Sequence, residues 1–382
     1  MNHAPPPGPR LHLDYIDGMR AAAALVVVVN HSYAQAWCPF YDQFPPPEFA
    51  FLSYSLAVGH LAVSVFIVIS GFCLYLPVAR ADGVLRGGPL LFFRRRVRRI
   101  LPPYYAALAL CLLLIATVLG QQTGSLWDVS ADVRTMDVIS HVLLLQNFFG
   151  TGRINYVFWS IALEWQIYFL FPLLVLLFRR WNVAGTVLLT MVVGYTLTFS
   201  SIRRVDHATL HYLGLFTLGM AAARVAFSRD ERLVRLKERG PWAAIAAATF
   251  LPATGLTLFW GWRNSIAHWP LLDLIVGVGT AGLLLAAAQS SQGIVSRAFS
   301  VQPLAWIGRF SYSLYLIHAP ILQLLWLYAL KPLGLGNGTI FVTLLLAGGP
   351  IIVGASYLFF RLFEKPFMNS PAPAQPTVPA VA

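Results

Sequence analysis

The sequence predicts an all-α protein: a polytopic transmembrane helix bundle of about ten spans with both termini cytoplasmic. Three observations carry this. The 382 residues are 58% hydrophobic and 11% charged, against about 25% charged in soluble domains. Apolar runs near 20 residues, long enough to cross a bilayer as helices and too long for barrel strands, recur along the whole chain. The basic residues are also unevenly placed. Six of the 27 lysines and arginines (Arg134, Arg153, Arg203, Arg204, Arg263, Lys331) fall on one side of the expected topology. Arg20 and Arg309 sit at span ends and the remainder fall on the other side, as the positive-inside rule requires. The net charge of +12 is read as this topology signal, with no nucleic-acid partner expected.

The spans fall near 18–37, 58–79, 100–120, 157–178, 183–200, 209–227, 241–260, 269–289, 304–329 and 339–361. Segment 138–150 is apolar but too short to span and is expected to be re-entrant or interfacial. The long external stretches are 38–57 and 121–156, which hold Asp42, Glu48, Asp128, Asp132 and Asp137. Residues 1–13 are proline-rich, match no signal peptide and are expected to be disordered, as is the Pro/Ala-rich tail 368–382; residues 14–367 form one expected domain. Cys38, Cys73 and Cys111 are odd in number, match no metal or disulfide spacing, and read as packing residues.

Four stretches carry candidate chemistry. In the first span Arg20 and His31 are eleven residues apart, so on a helix they share a face, roughly 20° apart in angle and about 16 Å apart along the axis. An imidazole at that depth marks a functional site or a hydrogen-bonded core histidine. Before the third span, Arg94-Arg95-Arg96-Val97-Arg98-Arg99 offers guanidinium forks for phosphate, with Arg96 and Arg99 on one helical face; membrane anchoring is the plainer reading. In the fourth span Ser160, Glu164, Tyr168 and Pro172 form one stripe below Trp159. A buried carboxylate there must be paired or protonated, with a histidine or with Arg309. In the ninth, Ser311, Tyr315 and His318 share a face and line a polar tunnel or make packing hydrogen bonds.

In this order the stretches resemble the acyltransferase-3 family of integral membrane acyltransferases. The resemblance covers about residues 14–367. It rests on Arg20-x10-His31, Phe66-Ile-Val-Ile-Ser70-Gly71-Phe72 and Arg96-x-x-Arg99-Ile100-x-Pro102. It continues through Trp159-Ser160 to Glu164, Tyr168 and Pro172, then Ser311-Tyr-Ser-Leu-Tyr315-Leu-Ile-His318 and Glu364-Lys-Pro-Phe367. It implies an inner-membrane enzyme that moves an acyl group, often acetyl, from cytoplasmic acyl-CoA to a hydroxyl of a glycan or of a small molecule such as a macrolide.

On that reading Arg96 and Arg99, with Arg20 at the mouth, hold the coenzyme phosphates, and the pantetheine arm crosses from Arg20 to His31. His31 is then the general base. Glu164, or Asp17, orients it, and Ser160, Trp159 or Tyr315 meet the oxyanion. Tyr168 and His318 complete the expected substrate-binding set, and no metal is expected. The competing reading is a proton-coupled transporter in which His31, Glu164 and His318 relay protons. It lacks the internal inverted repeat that many such proteins carry and leaves the arginine cluster unused. A non-catalytic scaffold leaves the buried His31 and Glu164 unexplained.

Overall fold

The structure, a computed structural model, describes residues 13–37, 57–149, 152–200 and 209–368. Cys38, Asp42, Glu48, Arg203, Arg204 and all but the innermost residue of each expected disordered terminus lie outside the described residues.

Among the described residues the chain is helical, with no strand. The helices are α1 (Asp14–Ala36), α2 (Leu61–Ala79), α3 (Gly88–Leu114), α4 (Asp128–Ala131), α5 (Thr135–Val142), α6 (Trp159–Arg180) and α7 (Val183–Thr198). They continue with α8 (Tyr212–Phe227), α9 (Glu231–Arg239), α10 (Trp242–Ala267), α11 (Trp269–Gln289), α12 (Ile294–Phe299), α13 (Gln302–Gly308), α14 (Ser311–Leu324), α15 (Asn337–Thr343) and α16 (Gly349–Phe359). Each expected span coincides with a helix. Seven helical stretches are long and apolar enough to cross a membrane by length and composition; α7 and α8, at 16 residues each, are shorter. Helix α1 has 23 residues and carries Asp14, Asp17 and Arg20 in its first two turns. Large apolar side chains such as Leu113, Leu188, Leu251, Phe259 and Leu346 point outward, as a lipid-facing surface requires. The chain is a multi-pass integral membrane protein.

Alanine, Leu25 and valine fill α1 between Arg20 and Asn30, with no proline or glycine to break that run. This helix packs on α2, α13 and α14 and so lies inside the bundle. Helices α2 and α8 approach so closely that a Cβ on Gly71 would lie 2.0 Å from the Phe216 carbonyl oxygen, and one on Gly219 2.0 Å from that of Val68. Small residues let membrane helices meet backbone to backbone. Near the far end of α1, Gln35 donates to Gln323 at 2.7 Å, and Ser125 donates to the same oxygen at 2.9 Å. These bonds fix the register of α1 against α14. Helix α10 is interrupted at Gly261, whose φ of 69° glycine adopts without strain.

The 138–150 segment does not span. Helix α5 is eight residues long, exposes Met136, Ile139 and Val142, and buries Asp137 and His141. Beside it, Arg153 binds both the carboxylate and the backbone oxygen of Asp132, and that hydrogen bond holds the Asp132 carboxyl below its ordinary range.

Candidate active site

Two cavities open inside the bundle. The larger, about 630 Å³, is lined by six arginines among the described residues: Arg20, Arg86, Arg95, Arg96, Arg99 and Arg309. Among the described lining residues two carboxylates, Glu164 and Glu364, stand with them. The smaller, about 260 Å³, is lined by Asn30, His31, His60, Tyr33, Tyr156, Trp159, Trp269 and Tyr315 together with apolar residues, and by no Asp, Glu, Lys or Arg among the described residues. Val63 and Tyr315 line both. The cavities therefore meet at Tyr315, whose hydroxyl is 2.7 Å from Ser160 Oγ.

Helix periodicity delivers the ends of this arrangement. Arg20 faces the larger cavity and His31, three turns on along the same face of α1, faces the smaller one. Arg96 and Arg99 face the larger cavity together. The Nε of Arg96 is buried with no partner among the described residues, an unsatisfied cationic donor of the kind a phosphate oxygen satisfies. The residues present thus fit a phosphate-bearing anion. The stripe on α6 holds as well: Ser160, Glu164 and Tyr168 all line the larger cavity.

The expected pairing of Glu164 with His31 is not what the structure contains. Glu164 accepts a hydrogen bond from Tyr168, whose hydroxyl is also 3.0 Å from Ser70 Oγ. Glu164 sits one turn past Ser160, about 6 Å further along α6 towards the arginines, and lines only the larger cavity. Arg309 lines that cavity without forming an ion pair with Glu164 among the described residues. Glu364 accepts from Ser313 Oγ at 2.6 Å. Cys73 packs against the main core as expected, and it is also a free thiol on the wall of the arginine cavity, because Ser70 and Cys73, three residues apart, share the inner face of α2. Cys111 is buried, 3.6 Å from the Asn155 amide.

The partner of His31 is His318. His31 Nδ1 lies 2.8 Å from His318 Nε2, and His318 Nδ1 lies 3.1 Å from the Leu314 carbonyl oxygen. A carbonyl only accepts, so His318 Nδ1 carries the proton and its Nε2 is an acceptor. With both rings neutral, His31 Nδ1–H donates to it and His31 Nε2 is left as a lone pair. The ring is held further by Tyr156, edge-on at 5.0 Å. A histidine oriented through one nitrogen with the other exposed to a cavity is the geometry of a general base.

A second oriented histidine was missed by sequence reasoning. His60 ends the turn that leads into α2, and its Nε2 is 2.8 Å from Tyr212 Oη and 3.4 Å from Asp273 Oδ2. Asp273 is fully buried and also binds His211 Nε2 at 2.9 Å and Ser64 Oγ at 2.5 Å. One signal was available: Asp273 is the sole charged residue of α11, and such a residue inside a span marks a polar site.

Residues 13–361 match the acyltransferase domain family. The chain belongs to that family, a class of multi-pass membrane proteins. Among individual relatives, it is similar to the peptidoglycan O-acetyltransferase of Listeria monocytogenes, at 24% identity over 82% of this chain and 50% of that one. It is similar to an O-acetyltransferase of Staphylococcus aureus at 24% identity, over 81% of this chain and 51% of that one. An acyltransferase of Streptomyces mycarofaciens is 29% identical over 44% of this chain and 41% of its own. The chain spans about half the length of the first two of these relatives. No solved structure matches it.

Proposed function

We propose that this chain, through a single domain over residues 14–367, is a membrane O-acyltransferase that moves an acyl group, acetyl in the first instance, from cytoplasmic acyl-CoA to a hydroxyl acceptor. One observation carries the reading. A deep arginine-lined cavity and a neutral aromatic cavity meet at Tyr315 and Ser160, and the open nitrogen of an oriented histidine stands on the neutral side. The arginine-rich end is cytoplasmic by the positive-inside rule, so the cell membrane bounding the cytoplasm, the inner membrane of a two-membrane cell, is the proposed location. The names of two relatives, one a peptidoglycan O-acetyltransferase, favour acetyl and a glycan over a small-molecule acceptor.

Arg96 and Arg99, with Arg20, Arg86, Arg95 and Arg309 around them, suit the pyrophosphate and ribose phosphate of the coenzyme. Its thin arm then reaches Tyr315 past Ser70, Glu164 and Tyr168. From the other cavity the acceptor hydroxyl gives its proton to His31 Nε2 as its oxygen attacks the thioester carbonyl. In the Tyr315–Ser160 pair one hydroxyl proton is used in their mutual bond, and the other is available to donate to the developing oxyanion. When the C–S bond breaks, the thiolate takes back the proton from His31. His318 is the orienting group in place of Glu164, which serves as counter-charge among the arginines.

The test is consumption of radiolabelled acetyl-CoA by purified protein in detergent, wild type beside His31→Ala. Turnover to water or an added alcohol that vanishes in the variant supports the reading. No binding and no turnover with any short-chain acyl-CoA returns the chain to the transporter reading.

A further inference from the structure

His60 is held more tightly than packing alone requires. Its ring lies between two indoles, parallel to Trp269 at 3.9 Å and 6° and to Trp159 at 5.4 Å and 9°. These fix the plane of the imidazole. Tyr212 and Asp273 then fix its rotation, because both face Nε2. Asp273 is itself immobilised by His211 and Ser64, and His211 Nδ1 is anchored 3.3 Å from Thr198 Oγ1. Residues of five helices, α2, α6, α7, α8 and α11, thus converge to aim one ring. What remains is Nδ1, which has no hydrogen-bond partner among the described residues, on a residue that lines the same cavity as His31. With the ring neutral and its Nε2–H directed at Tyr212 Oη and Asp273, Nδ1 is left as a lone pair.

The smaller cavity therefore presents two aimed imidazole lone pairs, His31 Nε2 and His60 Nδ1, and no formal charge among its described lining residues. Two oriented acceptors are matched by a ligand with two donors. We propose that His60 is a second acceptor-binding residue, which takes a hydrogen bond from a neighbouring hydroxyl of the acceptor and so selects which hydroxyl meets His31, with Asp273 as its positioning residue. The acceptor is then a polyol rather than a lone alcohol. This rests on the acyl-transfer reading above.

The test compares acylation of glycerol with that of 1-propanol from acetyl-CoA. Both offer a primary hydroxyl and only glycerol offers a neighbouring one. Wild type should favour glycerol in kcat/KM by about tenfold, the scale of one buried hydrogen bond. His60→Gln keeps a polar atom near the Nε2 position, loses the one at Nδ1, and should bring the ratio close to one. His60→Asn keeps an oxygen near the Nδ1 position and should retain most of the preference; loss of packing alone would not separate these two variants. Asp273→Asn should lower the ratio partway. A wild-type ratio near one, or a ratio unchanged in a folded His60→Gln protein, overturns the assignment and leaves the acyl-transfer reading standing. If His60→Gln does not fold, an unchanged ratio in Asp273→Asn overturns it equally. A wild type that consumes no acetyl-CoA with water, propanol or glycerol sinks the acyl-transfer reading itself.

Discussion

Replacing His318 with leucine tests the oriented-base argument directly. The substitution keeps an apolar side chain in a fully buried position and removes the nitrogen that accepts from His31 Nδ1–H at 2.8 Å. A buried donor left without its acceptor costs about 1–3 kcal/mol of stability. The larger effect is on chemistry. Without His318 the proton of His31 is free to move to Nε2 and the ring is free to turn, so the lone pair no longer faces the acceptor. General-base catalysis is worth about 10²–10⁴-fold, and kcat should fall by about 10² or more towards the His31→Ala level. The arginine cavity does not include His318, so KM for acyl-CoA should stay within about threefold, well short of the tenfold that 1.4 kcal/mol represents. His318→Gln offers an amide oxygen to the same N–H and should recover most of the rate. The assay is initial-rate consumption of radiolabelled acetyl-CoA in detergent, with thermal unfolding measured alongside. A folded His318→Leu protein with near-normal kcat would refute the reasoning.

Arg96→Ala and Arg99→Ala should each raise KM for acyl-CoA about 10–100-fold, the value of a charge-assisted hydrogen bond, with kcat less affected. Arg96→Lys should rescue only in part because the fork is lost, and unchanged KM values in a titration would remove the phosphate assignment. Tyr315→Phe deletes the hydroxyl 2.7 Å from Ser160. It should lower kcat by about 10²–10³ if that group meets the oxyanion, and a change confined to KM would return it to substrate packing. Gly219→Leu places carbon where a Cβ is already 2.0 Å from the Val68 carbonyl oxygen. Helices α2 and α8 must separate, at a cost of at least about 1–3 kcal/mol. The expected result is aggregation or a lowered melting temperature, and an unchanged one would show that the two helices do not approach as described.

The parts of this protein legible in the sequence are those that one helix fixes by itself. Hydropathy located helical structure at each expected span, seven of the described helical stretches being long and apolar enough to cross a membrane, because a backbone in lipid must satisfy its own hydrogen bonds and does so as a helix. The 3.6-residue period placed Arg20 and His31 on one face, set Arg96 beside Arg99, and lined up Ser160, Glu164 and Tyr168. All of these face one of the two cavities. Ser160 and Tyr315 also emerged as candidates, though not as partners.

Tertiary structure decided which helices stand opposite one another. Glu164 was the natural partner for His31 by charge. The rotation and depth of α6 send it instead to the arginines, and α14 brings His318 to His31 from 287 residues away. Cys73 packs as its apolar run predicts, and only the arrival of the arginine cluster also makes its face of α2 a cavity wall. His60 and Asp273 carry no shared motif; they are joined because α2, α8 and α11 pack together and, with Trp159 of α6, close a cage of two indoles, a phenol and a second histidine around one ring. Periodicity along a helix is a local property of the chain. The pairing of faces depends on crossing geometry and depth between helices distant in sequence, and only packing of the whole bundle sets those.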